Sequence, residues 1–385
     1  MSQVPPDIQL TDPTPLQSLQ DGHRVKADHE VVVCYEEKIP DFVAREMDNL
    51  YENFFSSFTK FSVLKEAVDV CAYVVFKGDR LTEALLFRNE GKKIHVLNEF
   101  IIIGSEALSR FAGYIFSRYR AISAISFRAV QPDIHHLPFP FQRHNCIEDI
   151  VLKLPGSRQE YESRLSKKLR SNIKTYLNRV KRDHPSFEFE IQERDVADER
   201  HIREIIRFNG ERMVGKSKVS GILEQETRGI IDLVRSCGLI AVVKINGTVC
   251  AGRILFRIGP NYFSRLNAHS PAFNEYRLGT LCNYLSICEC IARGGKELHF
   301  LWGREEFKYR FLGDQRDYDE LIVYRSALHM ALNGKLVLRT FANGWVRLAK
   351  LWLLDPKRKD HIVMQSAKRI VRSLRGLVGL SHANT

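Results

Sequence analysis

The sequence predicts an α/β (α+β) chain of two successive units, each a mixed, twisted sheet flanked by helices, followed by a basic helical tail. Three observations predict this class. Strand-like and helix-like segments run in the order β-α-β-β-β-α-β in the first half and again in the second, without a repeat of sequence. In the second half, apolar β-forming runs are joined by Asn246-Gly247 and then by Gly259-Pro260-Asn261, which makes a meander. Behind it, Leu281, Tyr284, Leu285, Cys288 and Ile291 follow helical spacing after Gly279 and Thr280, and Gly294-Gly295 stops the helix.

The elements follow in chain order. Residues 1–29 are polar and Pro-rich, with no basic-then-apolar pattern, and read as a flexible lead rather than a secretion signal. EVVVCYE reads as a strand, and FVAREMDNLYENFFSSF as a helix burying Phe42, Met47, Leu50 and Phe54. CAYVVFKGD, LTEALLFRNE and KKIHVLNEFII are strands, residues 105–120 a helix, and AISAISFRAV a strand. PDIHHLPFPFQRHN reads as a loop. Its His135, His136 and His144 have no further residue nearby to complete a ligand set, so no metal site is expected.

Residues 161–182 carry Leu165, Leu169, Ile173, Tyr176 or Leu177, and Val180 on one helical stripe. LIAVVKI, TVCAGRILFRI and YFSRLNA supply the meander, and ELHFLWG alternates with Leu298, Phe300 and Trp302 on one face. These patterns divide the chain into a lead (1–29), a first unit (30–154), a second unit (155–325) and a tail (326–385).

Composition sets the outer limits. With 385 residues and 44% hydrophobic content, two domains with sizeable interiors are expected. No run of about 18 apolar residues occurs, so no membrane-spanning helix is expected. Eight cysteines are scattered without a C-x-x-C pair, which fits buried thiols in a reducing cytoplasm and weighs against disulfides and zinc.

The net charge of +12 is concentrated in two zones. Residues 157–182 hold nine basic and two acidic side chains, and residues 326–385 hold eleven and two. The first zone is either a solvated amphipathic helix or an attractor of an anionic ligand; it lacks the aromatic interleaving of a nucleic-acid surface. In the second, Trp345, Leu348, Leu351 and Trp352 lie beside Arg347, Lys350 and Lys357. Such a helix either packs back on the globular part or lies on anionic lipid at the inner face of a membrane.

A helix that opens on a glycine turn after a meander offers unpaired amides at the positive end of its dipole, a site for a phosphate group. That pattern, with AGRILFRIGPNYFSRLNAHSPAFNEYRLGTL, ARGGKELHFLWGREEFKYRF and the preceding SKKLRSNIKTYLNRVKR, resembles the acetyltransferase domain of CelD/BcsL-type proteins of the GNAT superfamily, related to the FemAB-type double-domain transferases. The resemblance covers about residues 154–324 and implies tandem GNAT-like folds. The first copy, with only a lone Gly104 before its helix, is expected to be structural or to help form the acceptor cleft.

The resemblance also implies a chemistry. Two neighbouring parallel strands, residues 261–269 and 297–302, would splay to admit the pantetheine arm of acetyl-CoA or another acyl-CoA. Its diphosphate would rest on the amides of Leu278, Gly279, Thr280 and Leu281, with Arg277 adding charge. No Ser-His-Asp or Cys-His pattern is present, so the acceptor attacks the thioester directly. His269 and Glu275 are the expected general bases and Tyr309 the acid for the departing thiolate. Lys308 matches the lysine of the family's Tyr-Lys pair, with Phe307 in place of the tyrosine, and is expected to anchor an anionic group. The implied activity is N- or O-acyl transfer, with acetyl favoured, to a sugar or cell-envelope precursor in the cytoplasm. Two alternatives stay open: aminoacyl transfer from charged tRNA, and a non-catalytic subunit of a membrane-associated polysaccharide complex.

Overall fold

The β-rich runs of both halves join one continuous sheet. A computed structural model describes residues 23–27, 30–214 and 222–354. The first half contains β1 (His23–Ala27), β2 (Glu30–Tyr35), α1 (Asp41–Tyr51), α2 (Phe58–Val63), β3 (Cys71–Lys77), β4 (Arg80–Glu90), β5 (Lys93–Val96), β6 (Ile102–Gly104), α3 (Ser105–Arg118) and β7 (Ala124–Asp133). The second contains β8 (Phe141–Lys153), α4 (Arg158–Arg164), α5 (Lys167–Asp183), β9 (Glu188–Glu193), α6 (Glu199–Val214), α7 (Glu224–Cys237), β10 (Gly238–Ile245), β11 (Thr248–Ile258), β12 (Asn261–His269), α8 (Leu278–Ala292), β13 (Glu297–His299), α9 (Glu306–Arg310) and β14 (Asp314–Tyr324). Two C-terminal helices follow, α10 (Ala327–Leu332) and α11 (Gly334–Leu354).

The strand order is β1-β2-β3-β4-β5-β7-β14-β8-β13-β12-β11-β10-β9, with β6 against β7. All neighbours are antiparallel except β5/β7, β6/β7 and β12/β13, which are parallel. Each half therefore has the mixed sheet expected, with the β-α-β-β-β-α-β order in place. The last strand, β14, lies between β7 and β8 and bonds to both. The sheet thus crosses the boundary expected at 154/155 without a break, and β8 bonds only to strands of the second unit.

Several elements differ from the sequence reading. The lead ends in a strand, β1, paired with β2; the rest of it lies outside the described residues. The expected helix over 42–58 is split. Glu52 turns left-handed (φ 45°), a short 3-10 turn follows at Phe54–Ser56, and Ser57 caps α2 by accepting from the Lys60 amide. Residues 161–182 also split, because Leu165 is extended and Ser166 caps a new helix, α5. The presumed loop around His144 is the start of β8, a long strand whose polar first half pairs with β14.

Apolar layers cover both faces of the second-half sheet. One face packs on α4, α5 and α8 through Tyr161, Leu169, Ile173, Leu281 and Ile287. The other packs on α6 and α7 and on Phe54 and Phe55 of the first half. Phe54 stacks on Phe256 with ring centres 4.6 Å apart, and Phe55 meets Phe263 of β12 edge-on at 6.3 Å. Aromatic contacts thus bind the halves together beside β12.

Candidate active site

The two parallel junctions of the sheet behave differently. In the first half, β5 pairs with β7 and the chain then rejoins β7 as β6, with the Phe100 amide donating to the Ala129 carbonyl and the Gln131 amide to Ile101. That seam is zipped shut. In the second half, β12 and β13 pair only over Asn261–Glu297, Tyr262–Leu298 and Phe263–His299. Beyond this point the chain after β13 bonds to β8 instead, through the Phe300 amide and the Ile150 carbonyl. Among the described residues no strand pairs with 264–269 of β12 on that side. A V-shaped gap opens there, and a register shift at Arg265 turns the backbone within it.

The mouth of the gap lies at the start of α8. Arg277 adopts a left-handed conformation (φ 55°) as the N-cap of α8, and its carbonyl accepts from the Thr280 and Leu281 amides at 2.8 and 3.2 Å. Of the stretch expected to cradle a diphosphate, only the Leu278 and Gly279 amides thus keep no intrahelical partner. Gly279 has a steric reason as well. A Cβ there would lie 2.9 Å from His269 Nδ1, so the residue must be small for the imidazole to sit under the helix start.

His269 contacts Asn274 Oδ1 through Nε2 at 3.0 Å, and burial holds its imidazole below the ordinary histidine range. Glu275 is exposed and ion-paired with Arg179 of α5, which also lies over the Tyr276 ring at 5.2 Å. His269, Glu275 and residues 277–281 therefore gather at one end of β12. Nearby, Asn267 donates to the Gly279 carbonyl at 3.2 Å, and the buried amide oxygens of Asn267 and Asn283 have no partner among the described residues.

The apex of the gap holds groups that sequence reasoning missed. His299, the last residue of β13, stacks on Phe263 with ring centres 4.3 Å apart and planes within 13°. Its Nδ1 lies 2.6 Å from Asp149 Oδ2, and its Nε2 lies 3.5 Å from Glu297 Oε2. Asp149, on β8, is fully buried, and among the described residues its second oxygen has no partner. Burial pushes the Glu297 carboxyl up, but the two-pronged Arg316 guanidinium overrides it, and the net direction is down. An imidazole held between two carboxylates is fixed in its ring orientation. Asp149 and His299 are 150 residues apart, and no local spacing signals the pair.

Lys308 and Tyr309 lie on α9, past β13, and no hydrogen bond or ion pair joins them to the mouth among the described residues. Lys308, expected to anchor an anionic group, has intramolecular partners in this structure. The ammonium is buried and donates to the carbonyls of Leu301 (3.0 Å), Trp302 (2.5 Å) and Gly303 (3.0 Å), besides pairing with Glu305 at 3.0 Å. Three donors are already committed. Tyr309 is exposed, donates to Gln315 Oε1 at 3.1 Å, and borders a cavity of about 390 Å³ with Leu152, Lys153, Tyr161, Arg164 and Asp314. Burial raises its phenol above the ordinary range. Trp302, expected on the Leu298–Phe300 face, instead lies against Phe55 of the first half, 6.1 Å away, because regular alternation stops at His299.

Residues 167–309 match the family model described as an acetyltransferase (GNAT) domain. No curated protein matches the chain in sequence. Among solved structures, FemX superposes with a TM-score of 0.53 and 12% identity, over 74% of this chain and 96% of FemX. L-PGS from Bacillus licheniformis gives 0.47 and 13%, over 79% and 98%. A tandem GNAT protein from the clavulanic acid biosynthesis pathway gives 0.37 and 11%, over 76% and 98%. The FemX likeness is one of fold.

Proposed function

We propose that the chain is an acyl-CoA-dependent N- or O-acyltransferase whose second half binds the donor, a reading supported by the match of residues 167–309 to the GNAT family model and by the likeness of fold to FemX. One observation carries this reading: the seam between parallel strands is open in the second half and zipped in the first. The donor diphosphate rests on the Leu278 and Gly279 amides at the positive end of α8. Exposed Lys167, Lys168 and Lys174 of α5 add to the attraction. The pantetheine arm extends along the unpaired edge of β12, and its amide hydrogens meet the free oxygens of Asn267 and Asn283.

The thioester then lies at the apex. From Phe263 to His269 is six residues, about 20 Å of strand. His269 and Glu275 therefore serve the phosphate end, and His299, oriented by Asp149, is the group placed to take the proton from the acceptor amine or hydroxyl. Tyr309 keeps the role of acid toward the departing thiolate. Phe55 and Phe100 of the first half wall the acceptor side. The acceptor we assign, on the resemblance to CelD/BcsL-type proteins, is a sugar or cell-envelope precursor. Acetyl-CoA is the first donor to test.

The test is a melt of purified protein with and without acetyl-CoA, coenzyme A and charged tRNA. A dose-dependent rise with the thioester supports the reading. A rise with tRNA alone, sensitive to salt, replaces it with aminoacyl transfer. No response to any of the three, with protein bound firmly to vesicles, favours a non-catalytic subunit.

Peripheral membrane contact belongs to the same reading. On α11, Leu338, Phe341, Trp345, Leu348 and Trp352 recur at three- and four-residue spacing and are 52–70% exposed. The opposite side packs on β8, where Arg347 pairs with Glu148 rather than facing outward. Lys357 lies outside the described residues. No described helix is long and apolar enough to cross a bilayer. An exposed aromatic stripe on a helix with four basic and no acidic residues suits an anionic lipid surface. Trp345→Glu with Trp352→Glu should abolish co-sedimentation with phosphatidylglycerol vesicles; unchanged binding would end the idea. The eight free thiols accord with a cytoplasmic location.

A further inference from the structure

Arg253, near the middle of β11, is fully buried. Its Nε donates to Ser264 Oγ at 3.1 Å, and its guanidinium carbon lies 5.4 Å from the centre of the Phe300 ring. Nη1 and Nη2 have no hydrogen-bond partner among the described residues. Among the described residues no carboxylate pairs with it. The ionisable groups that face it, Tyr161, Cys282 and Cys290, are all kept protonated by burial, so none is a counter-ion.

An unpaired cation in a protein interior is costly, and a single ring contact does not offset the loss of hydration. A methionine would fill the same volume without that cost. The guanidinium also has a definite position. Ser264 is the first residue of β12 beyond its last pair with β13, and Phe300 is the first residue after β13. The side chain thus reaches under the apex of the gap on the α8 side. With Nε held by Ser264, the two free amino groups present the forked edge that matches a carboxylate.

We propose that Arg253 binds the terminal carboxylate of the transferred acyl group, so that the preferred donor is a dicarboxylic half-thioester of the succinyl class rather than acetyl-CoA. This rests on the donor-site reading above and narrows it. The acceptor nitrogen or oxygen attacks the thioester carbonyl, forming the new amide or ester bond as the C–S bond breaks. The acceptor proton passes to His299, the thiolate leaves and is protonated to free coenzyme A, and the distal carboxylate stays ionised on Arg253. The tail fixes the thioester carbon at the apex, and no redox partner is needed.

Affinities of the full chain for coenzyme A, acetyl-CoA, succinyl-CoA and free succinate, by calorimetry, test it. Succinyl-CoA should bind about tenfold or more tighter than acetyl-CoA, as expected for a charge-assisted pair, and Arg253→Met should erase that difference while leaving coenzyme A affinity unchanged. Without ligand, Arg253→Met should melt at or above the wild-type temperature, since it removes an uncompensated charge. Equal affinity for the two thioesters overturns the inference and leaves the donor site standing. So does a preference that persists in Arg253→Met, or tight binding of free succinate with no preference between thioesters, which assigns the carboxylate to the acceptor. Failure of every coenzyme A species to bind overturns both readings.

Discussion

Replacing Lys308 by methionine separates two roles for the same side chain. The substitution keeps the length of the chain and deletes the ammonium, so its cost falls on the carbonyls of Leu301, Trp302 and Gly303. These belong to a loop in which Leu301 (φ 60°) and Gly303 (φ 95°) are both left-handed, a conformation that needs outside support at leucine. Each buried carbonyl stranded without a donor costs about 1–3 kcal/mol. Burial pulls the Lys308 ammonium below its usual range, so part of that loss returns when the charge is removed. A net destabilisation of about 3 kcal/mol remains, and at about 2 °C per kcal/mol for a large domain the melting temperature should fall by roughly 6 °C. Calorimetric melts of wild type and variant, with turnover measured well below both transitions, provide the assay. A variant that melts within a degree of wild type yet loses donor affinity would refute the clamp and restore the substrate-anchoring role.

Other outcomes follow from the same geometry. His299→Ala should lower turnover by about 10²–10⁴-fold with donor affinity retained, and Asp149→Asn should lower it less; acyl-transfer rates at saturating donor check this. Gly279→Ala should cost about 1–2 kcal/mol by pressing on the His269 ring and should weaken coenzyme A binding, read by calorimetry and by melts. For His269, the folded imidazole sits below the ordinary 6.5, so the unfolded chain binds more protons as pH falls through that value. Stability present above 6.5 is therefore lost on acidification, and the urea midpoint should drop more between pH 7.5 and 5.5 for wild type than for His269→Gln.

Local pattern carried most of the architecture. The meander, the α8 start behind Gly279 and its stop at Gly294 were legible because turn chemistry and apolar spacing agree over a few residues. Strands β8 and β14 were not, since both are rich in polar residues and owe their structure to partners far along the chain. The same limit hid the apex. His299 looks like one more alternating strand residue, and only the approach of β8 makes it a histidine between carboxylates. Arg253 was invisible for a related reason: β11 is buried on both faces, so alternation does not mark which of its side chains is out of place.

The placement of β14 has a consequence for biosynthesis. Until residue 324 leaves the ribosome, β7 has an open edge where its final neighbour will dock. Gln131 and Asp317, bonded across that junction, are 186 residues apart, about 10–40 s of synthesis at 5–20 residues per second. During that interval the nascent amino-terminal half presents a bare edge strand to other chains, and a stalled or truncated product would be prone to self-association.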